Sequence, residues 1–441
     1  MPSRNRLRRF LAKVQFWRGI QFFESPEYLT RVQRKNFARV QFDALGVGLA
    51  MAVNPFLAVF LTRLGASNVQ VGLLSSIPGF AGLLLAFVMG QFLERRRNIV
   101  PWYSAARGIR LAAFALTGIL AFLLPREHTV VAILGLWLVA SVPMALLSVA
   151  FTVTMNAIAG ARGRYALMSR RWSIIAIVSA AMTLVVGQML DRIRFPLNYQ
   201  LAFVIFGALG AVISYNAARQ YQLPPSDPDP VTADGDSLLD QVGSYAKLIA
   251  EERSFMKILG KRLVYITGSR IVMPLFALYY VRELNATDAS ISLITTVQKA
   301  LLLVGYFLWT RQRETRGSRF VLLSTTFVMS LYPALTAGNR WVGVMVGLAG
   351  LAGVFQAGLK LVFFDELMRR IPEDKSATFV SVDKSMVNLL TIVGPIIGTA
   401  LANYIGLSGA LLVGASLRFL GFLLFVFGDE GDRVAEPTTA A

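Results

Sequence analysis

The chain has no cysteine, a single histidine at 128, and only 16% charged residues over 441 positions. Without cysteine there is no disulfide, no iron–sulfur ligation and no thiolate chemistry. One histidine excludes a histidine relay. Acidic residues are scarce too, 25 against 44 Lys and Arg, and no P-loop or other nucleotide-binding stretch occurs, so ATP is not an energy source within this chain.

What fills the space is apolar: 55% hydrophobic residues and a mean hydropathy of +0.57. That is too apolar for an ordinary soluble protein. A helical crossing of a bilayer takes about 20 mostly apolar residues, because every backbone polar group must be satisfied within the segment. Twelve such stretches occur, at 40–62, 69–93, 100–124, 129–151, 172–190 and 198–217, then 263–281, 289–310, 320–337, 341–364, 386–402 and 407–427. The predicted fold is therefore an all-α membrane protein with twelve transmembrane helices in two six-helix halves.

The longest polar interruption separates the two sets and opens with the breaker run QLPPSDPDPVTADGD. The domain reading is a basic amphipathic arm over 1–39, a first half over 40–217, a central loop over 218–262, a second half over 263–428 and a tail over 429–441. In the arm, Phe10, Val14 and Trp17 share one helical face and Arg9, Lys13 and Arg18 lie off it, a pattern of interfacial helices. It has no continuous apolar stretch and does not read as a signal peptide.

Net charge is +19, but it is spread over short loops and forms no basic domain, so no nucleic-acid partner is expected. Loops on the side of the termini hold Arg4, Arg6, Arg8, Arg9, Arg95, Arg96, Arg97, Arg311, Arg313, Arg316 and Arg319, whereas the opposite loops hold isolated residues such as Arg63, Arg126 and Arg282. The positive-inside rule then puts both termini in the cytoplasm of a multi-pass protein of the cytoplasmic (inner) membrane. The lipid bilayer is one partner, and contact with anionic headgroups suits the same charges.

The two halves repeat. VNPFLAVFLTRLGAS from Val53 lies over VMPLFALYYVRELNAT from Val272, matching Pro55 with Pro274 and Arg63 with Arg282. GQFLE at Gly90 matches GYFLW at Gly305, and the stretch from Arg164 lies over that from Lys375, matching Gly187 with Gly398. Three pairs in one order imply two halves of the same internal topology, related by an axis along the membrane normal.

These features resemble the major facilitator superfamily over about 36–427. In GQFLERRRN, Gly90, Glu94 and Arg95 fall on that family's motif after the second helix, with Phe92 in the leucine place and Arg97 where the family has a second glycine. Arg164 and Arg171 resemble its arginine-rich link before the fifth helix. Gly394, Pro395 and Gly398 resemble an element that the drug antiporters carry on helix five, but here it is on helix eleven. The resemblance implies a secondary active transporter working by alternating access, with cavity helices one, four, seven and ten, flanking helices two, five, eight and eleven, and supporting helices three, six, nine and twelve.

On that arrangement the substrate and cavity candidates are Asn54, Asn156, Arg270, Tyr279, Lys299, Gln356 and Lys360. Asn54 could instead repair the backbone freed by Pro55. The coupling candidate is Asp43, if transport is proton-coupled, and the gating residues are Gly90, Glu94, Arg95, Arg164 and Arg171. Arg110 and Arg418 are expected to pack against polar neighbours. Deep charges are mostly positive, which favours a small polar or anionic solute. No cofactor or metal is expected, and one chain holding both halves predicts a monomer. An enzyme would need a convergent catalytic set; the acidic run Asp365, Glu366, Glu373 and Asp374 reads as a solvated loop instead. Efflux of drugs or metabolites, and a non-transporting receptor or assembly factor of the same fold, remain alternatives.

Overall fold

The computed structural model describes residues 30–85, 88–89, 92–93, 96–223, 253–368 and 376–427. Ten helices are long and apolar enough to cross a membrane: Arg31–Arg63, Asn68–Leu85, Val100–Leu123, Arg126–Met155, Arg170–Arg192, Leu197–Ala218, Phe255–Arg282, Asp288–Ala337, Val342–Leu367 and Val382–Phe427. Two of them are too long for one crossing. At 1.5 Å per residue they would reach about 70 Å or more, against about 30 Å of hydrocarbon. Each breaks at a glycine in left-handed backbone, Gly317 (φ 80°) and Gly406 (φ 75°), where a side chain would be strained. Counting each as two gives twelve spans in two six-span halves.

The first span begins earlier than position 40. Thr30 caps its start, accepting from the Gln33 amide at 3.3 Å while the Gln33 side chain accepts from the Thr30 amide at 3.1 Å. Asn36 then ties this turn to the chain leaving the sixth span, donating to the Gln222 carbonyl at 2.7 Å and accepting from its amide at 3.0 Å. Residues 31–39 thus belong to the first span and not to an arm. The rest of the arm, most of the central loop and the tail lie outside the described residues. So do the gating residues Gly90, Glu94 and Arg95 and the acidic pair Glu373 and Asp374.

The first span bends at Val53, where the Phe56 amide turns to the Val53 carbonyl at 3.0 Å. The Ala52 carbonyl released by that bend is met by the Thr183 hydroxyl of the fifth span at 3.2 Å. Backbone repair beside Pro55 is therefore done by Thr183, and Asn54 makes no hydrogen bond with any described residue.

The apolar cores show how the halves meet. One cluster joins them at the end of the molecule that carries Arg63 and Arg282, packing Phe56, Phe60 and Tyr199 of the first half with Leu275, Leu278 and Ile291 of the second. Towards the opposite end, where the described chain begins and stops, the clusters formed by the described residues are separate: one is built from the first half alone and two from the second alone. The halves share a core at one end and keep their own at the other.

Candidate functional site

At the shared end the repeated stretches form a reciprocal clasp. Arg63 reaches across to the Ala286 carbonyl at 3.0 Å and to the Asp288 carboxylate at 2.9 Å. Arg282 reaches back to the Ala66 carbonyl at 2.5 Å and the Asn68 side-chain oxygen at 2.6 Å. Tyr199, stacked on Phe60 with centroids 4.9 Å apart, donates to Asp288 at 2.5 Å. Left-handed turns at Gly65 (φ 96°) and Asn285 (φ 48°) carry the chain out of the two arginine-bearing helices. Ser67 and Thr287 cap the helices that follow.

Two seams continue the contact inwards. Between spans two and eleven, Ser76 donates to the Ile392 carbonyl at 2.7 Å; a Cβ on Gly79 would come within 2.6 Å of the Asn388 carbonyl, so only glycine allows this approach. Between spans five and eight, Thr296 donates to the Ala180 carbonyl at 3.4 Å. Among the described residues, no hydrogen bond joins the halves nearer the terminal end than these seams.

A cavity of about 420 Å³ lies beneath the clasp, lined by the matched prolines of the first and seventh spans, Pro55 and Pro274. Its polar lining includes Asn54, Ser75, Arg110, Thr295 and Gln298, with the paired hydroxyls of Tyr280 and Tyr332 3.3 Å apart. Ser75 and Thr295 are bonded to carbonyls of their own helices. Asn54, Arg110 and Gln298 make no hydrogen bond or ion pair with any described residue, which leaves their donors for a ligand.

Of the sequence candidates whose side chains are described, then, Asn54 lines this cavity and the others do not. Tyr279 is buried and donates to the Asn339 carbonyl at 3.0 Å, near the clasped end. Lys299 follows Gln298 but lies one helical step off the lining face. Arg270 is half-buried one turn from the lining residue Met273, whose sulfur lies 3.9 Å from its Nη1. Gln356 is half-buried and Lys360 exposed, both outside the lining. The side chains of Asn156 and Arg164 lie outside the described residues.

Asp43, the coupling candidate, lies in a buried ion-pair cluster. It is fully buried behind the cavity, between Arg107 Nε at 3.3 Å and Arg171 Nη2 at 3.4 Å, and it accepts from Ser214. Arg171 is thereby a strut of the first half. Arg418 does meet a polar neighbour, donating to the Tyr265 hydroxyl at 3.0 Å. Arg110 does not: it reaches the cavity from the third span, which the resemblance had placed in the supporting ring. Helical spacing cannot reveal this, since a supporting span has apolar neighbours on every face and no periodic signal marks its cavity side.

Charge is unevenly spent. The buried or half-buried carboxylates Asp43, Asp288, Asp365 and Asp383 are each paired with arginine: Arg107 and Arg171, Arg63, Arg313 and Arg262 respectively. Asp365 also accepts from Ser318 at 2.8 Å and so anchors the turn at Gly317. Arg110, Arg270, Lys299 and Lys360 form no ion pair with a described residue. Among the described residues, no three of His, Cys, Asp and Glu gather as metal ligands would.

Residues 262–441 match the sequence model of the Major Facilitator Superfamily. No curated protein matches the chain in sequence. Among solved structures, its fold is similar to the nucleoside transporter NupG, with a TM-score of 0.66 at 12% identity over 88% of this chain and 98% of that one. A bacterial homologue of the iron transporter ferroportin in an inward-facing state gives a TM-score of 0.66 at 16% identity over 91% and 99%. A bacterial homologue of the human lysosomal transporter Spinster, inward-facing and occupied, gives 0.60 at 15% over 92% and 95%.

Proposed function

Residues 262–441 match the Major Facilitator Superfamily model and 88% of the chain shares the fold of a solved transporter, and on that ground we propose that the protein is a secondary active transporter moving a small polar or anionic solute by alternating access. The observation that carries this reading is the pairing of one core shared by both halves at the clasped end with separate cores at the terminal end. Two rigid bodies hinged at one end, with a cavity at Pro55 and Pro274, can rock to expose that cavity on either side. Basic residues crowd the terminal end, as Arg31, Arg34, Lys35, Arg39, Arg96, Arg97, Arg311, Arg313, Arg316 and Arg319, and the positive-inside rule makes that end cytoplasmic. The clasp then closes the outer gate. Among the described residues, Arg110, Arg270, Lys299 and Lys360 have no ion-pair partner while Asp43, Asp288, Asp365 and Asp383 each have one, an excess that supports an anionic solute. The two arginines around Asp43 support a structural task for it and speak against proton coupling through its carboxylate.

The absence of cysteine gives a clean background for the test. A single cysteine at Ser75 or Thr295, in proteoliposomes, should react with an impermeant maleimide from the terminal side, and from the clasped side once Arg63 and Arg282 are both replaced by Gln. Protection from the clasped side in every variant would sink the rocking mechanism.

A further inference from the structure

We infer that the cargo of this cavity is an amphipathic monoanion, with one carboxylate received by Arg110 on an apolar, largely aromatic body. The inference rests on the transporter reading of the same cavity and names the solute class. Arg110 is the single charged residue among the lining, and it has no counter-ion among the described residues. Three residues away, Arg107 shares the single carboxylate of Asp43 with Arg171, and neither arginine is among the lining residues, so no second cation stands at the cavity wall for a dianion or a phosphate. A neutral solute would leave the guanidinium uncompensated in a low-dielectric site, whereas a carboxylate supplies the missing charge and accepts a two-pronged hydrogen bond.

The rest of the wall suits the rest of such a molecule. Trp137, Phe276, Tyr280 and Tyr332 line it with aliphatic side chains such as Leu57 and Ile294. Their polar handles are already engaged: the Trp137 N–H donates to Thr117 at 3.1 Å, and the two tyrosine hydroxyls bond each other. Phe276 stacks on Tyr332 with centroids 5.0 Å apart. What these side chains leave for a ligand is ring and aliphatic surface and the one tyrosine O–H that the pair does not use. Asn54 and Gln298 add two amides without described partners, enough to orient one further polar group. A volume of about 420 Å³ falls in the range of small-molecule sites.

The test uses the purified full chain. Thermal shift and titration calorimetry would compare acetate, isovalerate, phenylacetate and indole-3-acetate with the neutral phenylacetamide, the dianion succinate and inorganic phosphate. Affinity should rise along the acid series, and phenylacetamide should bind at least tenfold more weakly than phenylacetate. Arg110→Gln should lose at least tenfold for phenylacetate with an unchanged unliganded melting temperature, and Arg110→Lys should keep part of the binding. If Arg110→Gln does not fold, the acid–amide comparison on the native chain decides. Equal binding of acid and amide, tighter binding of succinate or phosphate, no binding of any acid, or indifference to Arg110 would each overturn the assignment. Uptake of labelled phenylacetate into proteoliposomes separates the two readings. Binding without uptake defeats transport and leaves the monoanion site; uptake insensitive to Arg110 defeats the monoanion site and leaves transport.

Discussion

Twelve residues before its hinge proline the first half buries an aspartate, Asp43, and twelve residues before Pro274 the second half carries an arginine, Arg262. Each is met by the opposite charge from the fifth span of its own half, Arg171 and Asp383. The strut between first and fifth spans is kept while its polarity is reversed. The duplication has preserved a mechanical connection and left its sign free. The two struts differ in depth as well: Asp43 is fully buried and shared with Arg107 and Ser214, whereas the Arg262 side chain retains 15% exposure.

That difference sets the largest expected effect. Asp43→Ala strands two buried guanidinium groups and should cost about 3–5 kcal/mol, seen as loss of monodisperse protein or a large fall in melting temperature. Asp383→Ala strands one partly solvated arginine and should cost about 1–3 kcal/mol. Equal losses would mean the struts are equivalent after all.

The clasp offers the next contrast, because Arg63 faces a carboxylate and Arg282 an amide. Arg63→Gln leaves Asp288, whose side chain is 6% exposed, without its ion pair, and should favour opening by about 1.5–3 kcal/mol. Arg282→Gln breaks bonds to neutral oxygens and should favour it by less. Spin labels placed across the clasped end at positions 65 and 285 would report the longer-distance population by double electron–electron resonance. A larger shift for Arg282→Gln would reverse the ranking.

Thr183→Val removes the hydroxyl that serves the bend in the first span and should cost about 1 kcal/mol in thermal melts. The seventh span runs unbroken from Arg253 to Arg282 and should show no matching sensitivity. Smallest in stability, within about 0.5 kcal/mol, should be Asn54→Ala and Met273→Ala, which alter equivalent cavity positions. Only Asn54→Ala should change which polar substituent on an acid is tolerated, as read by the phenylacetate series.

The span count, the matched prolines and the arginines at the ends of spans one and seven were legible in the sequence, because a bilayer imposes a length and an apolar composition on every crossing. Even the clasp was half-visible as a repeated arginine before a small polar turn. Pairing was not. Asp43 meets Arg171 across 128 residues of chain, and nothing local marks either as the other's partner. Arg110 was misread for a related reason: a supporting span has apolar surroundings both towards lipid and towards its neighbours, so residue order does not say which way a long side chain points.

The clasp has one more property. Arg63 and Arg282 each bind a main-chain carbonyl of the opposite half, at Ala286 and Ala66, and no side-chain substitution deletes a carbonyl. The latch can thus be weakened by point mutation at its arginines or at Asp288 and Asn68, but hardly at its catches. Selection acting on how readily this gate opens works through side chains such as these and Tyr199, while the turns that present the catches can drift in sequence as long as their backbone path is held.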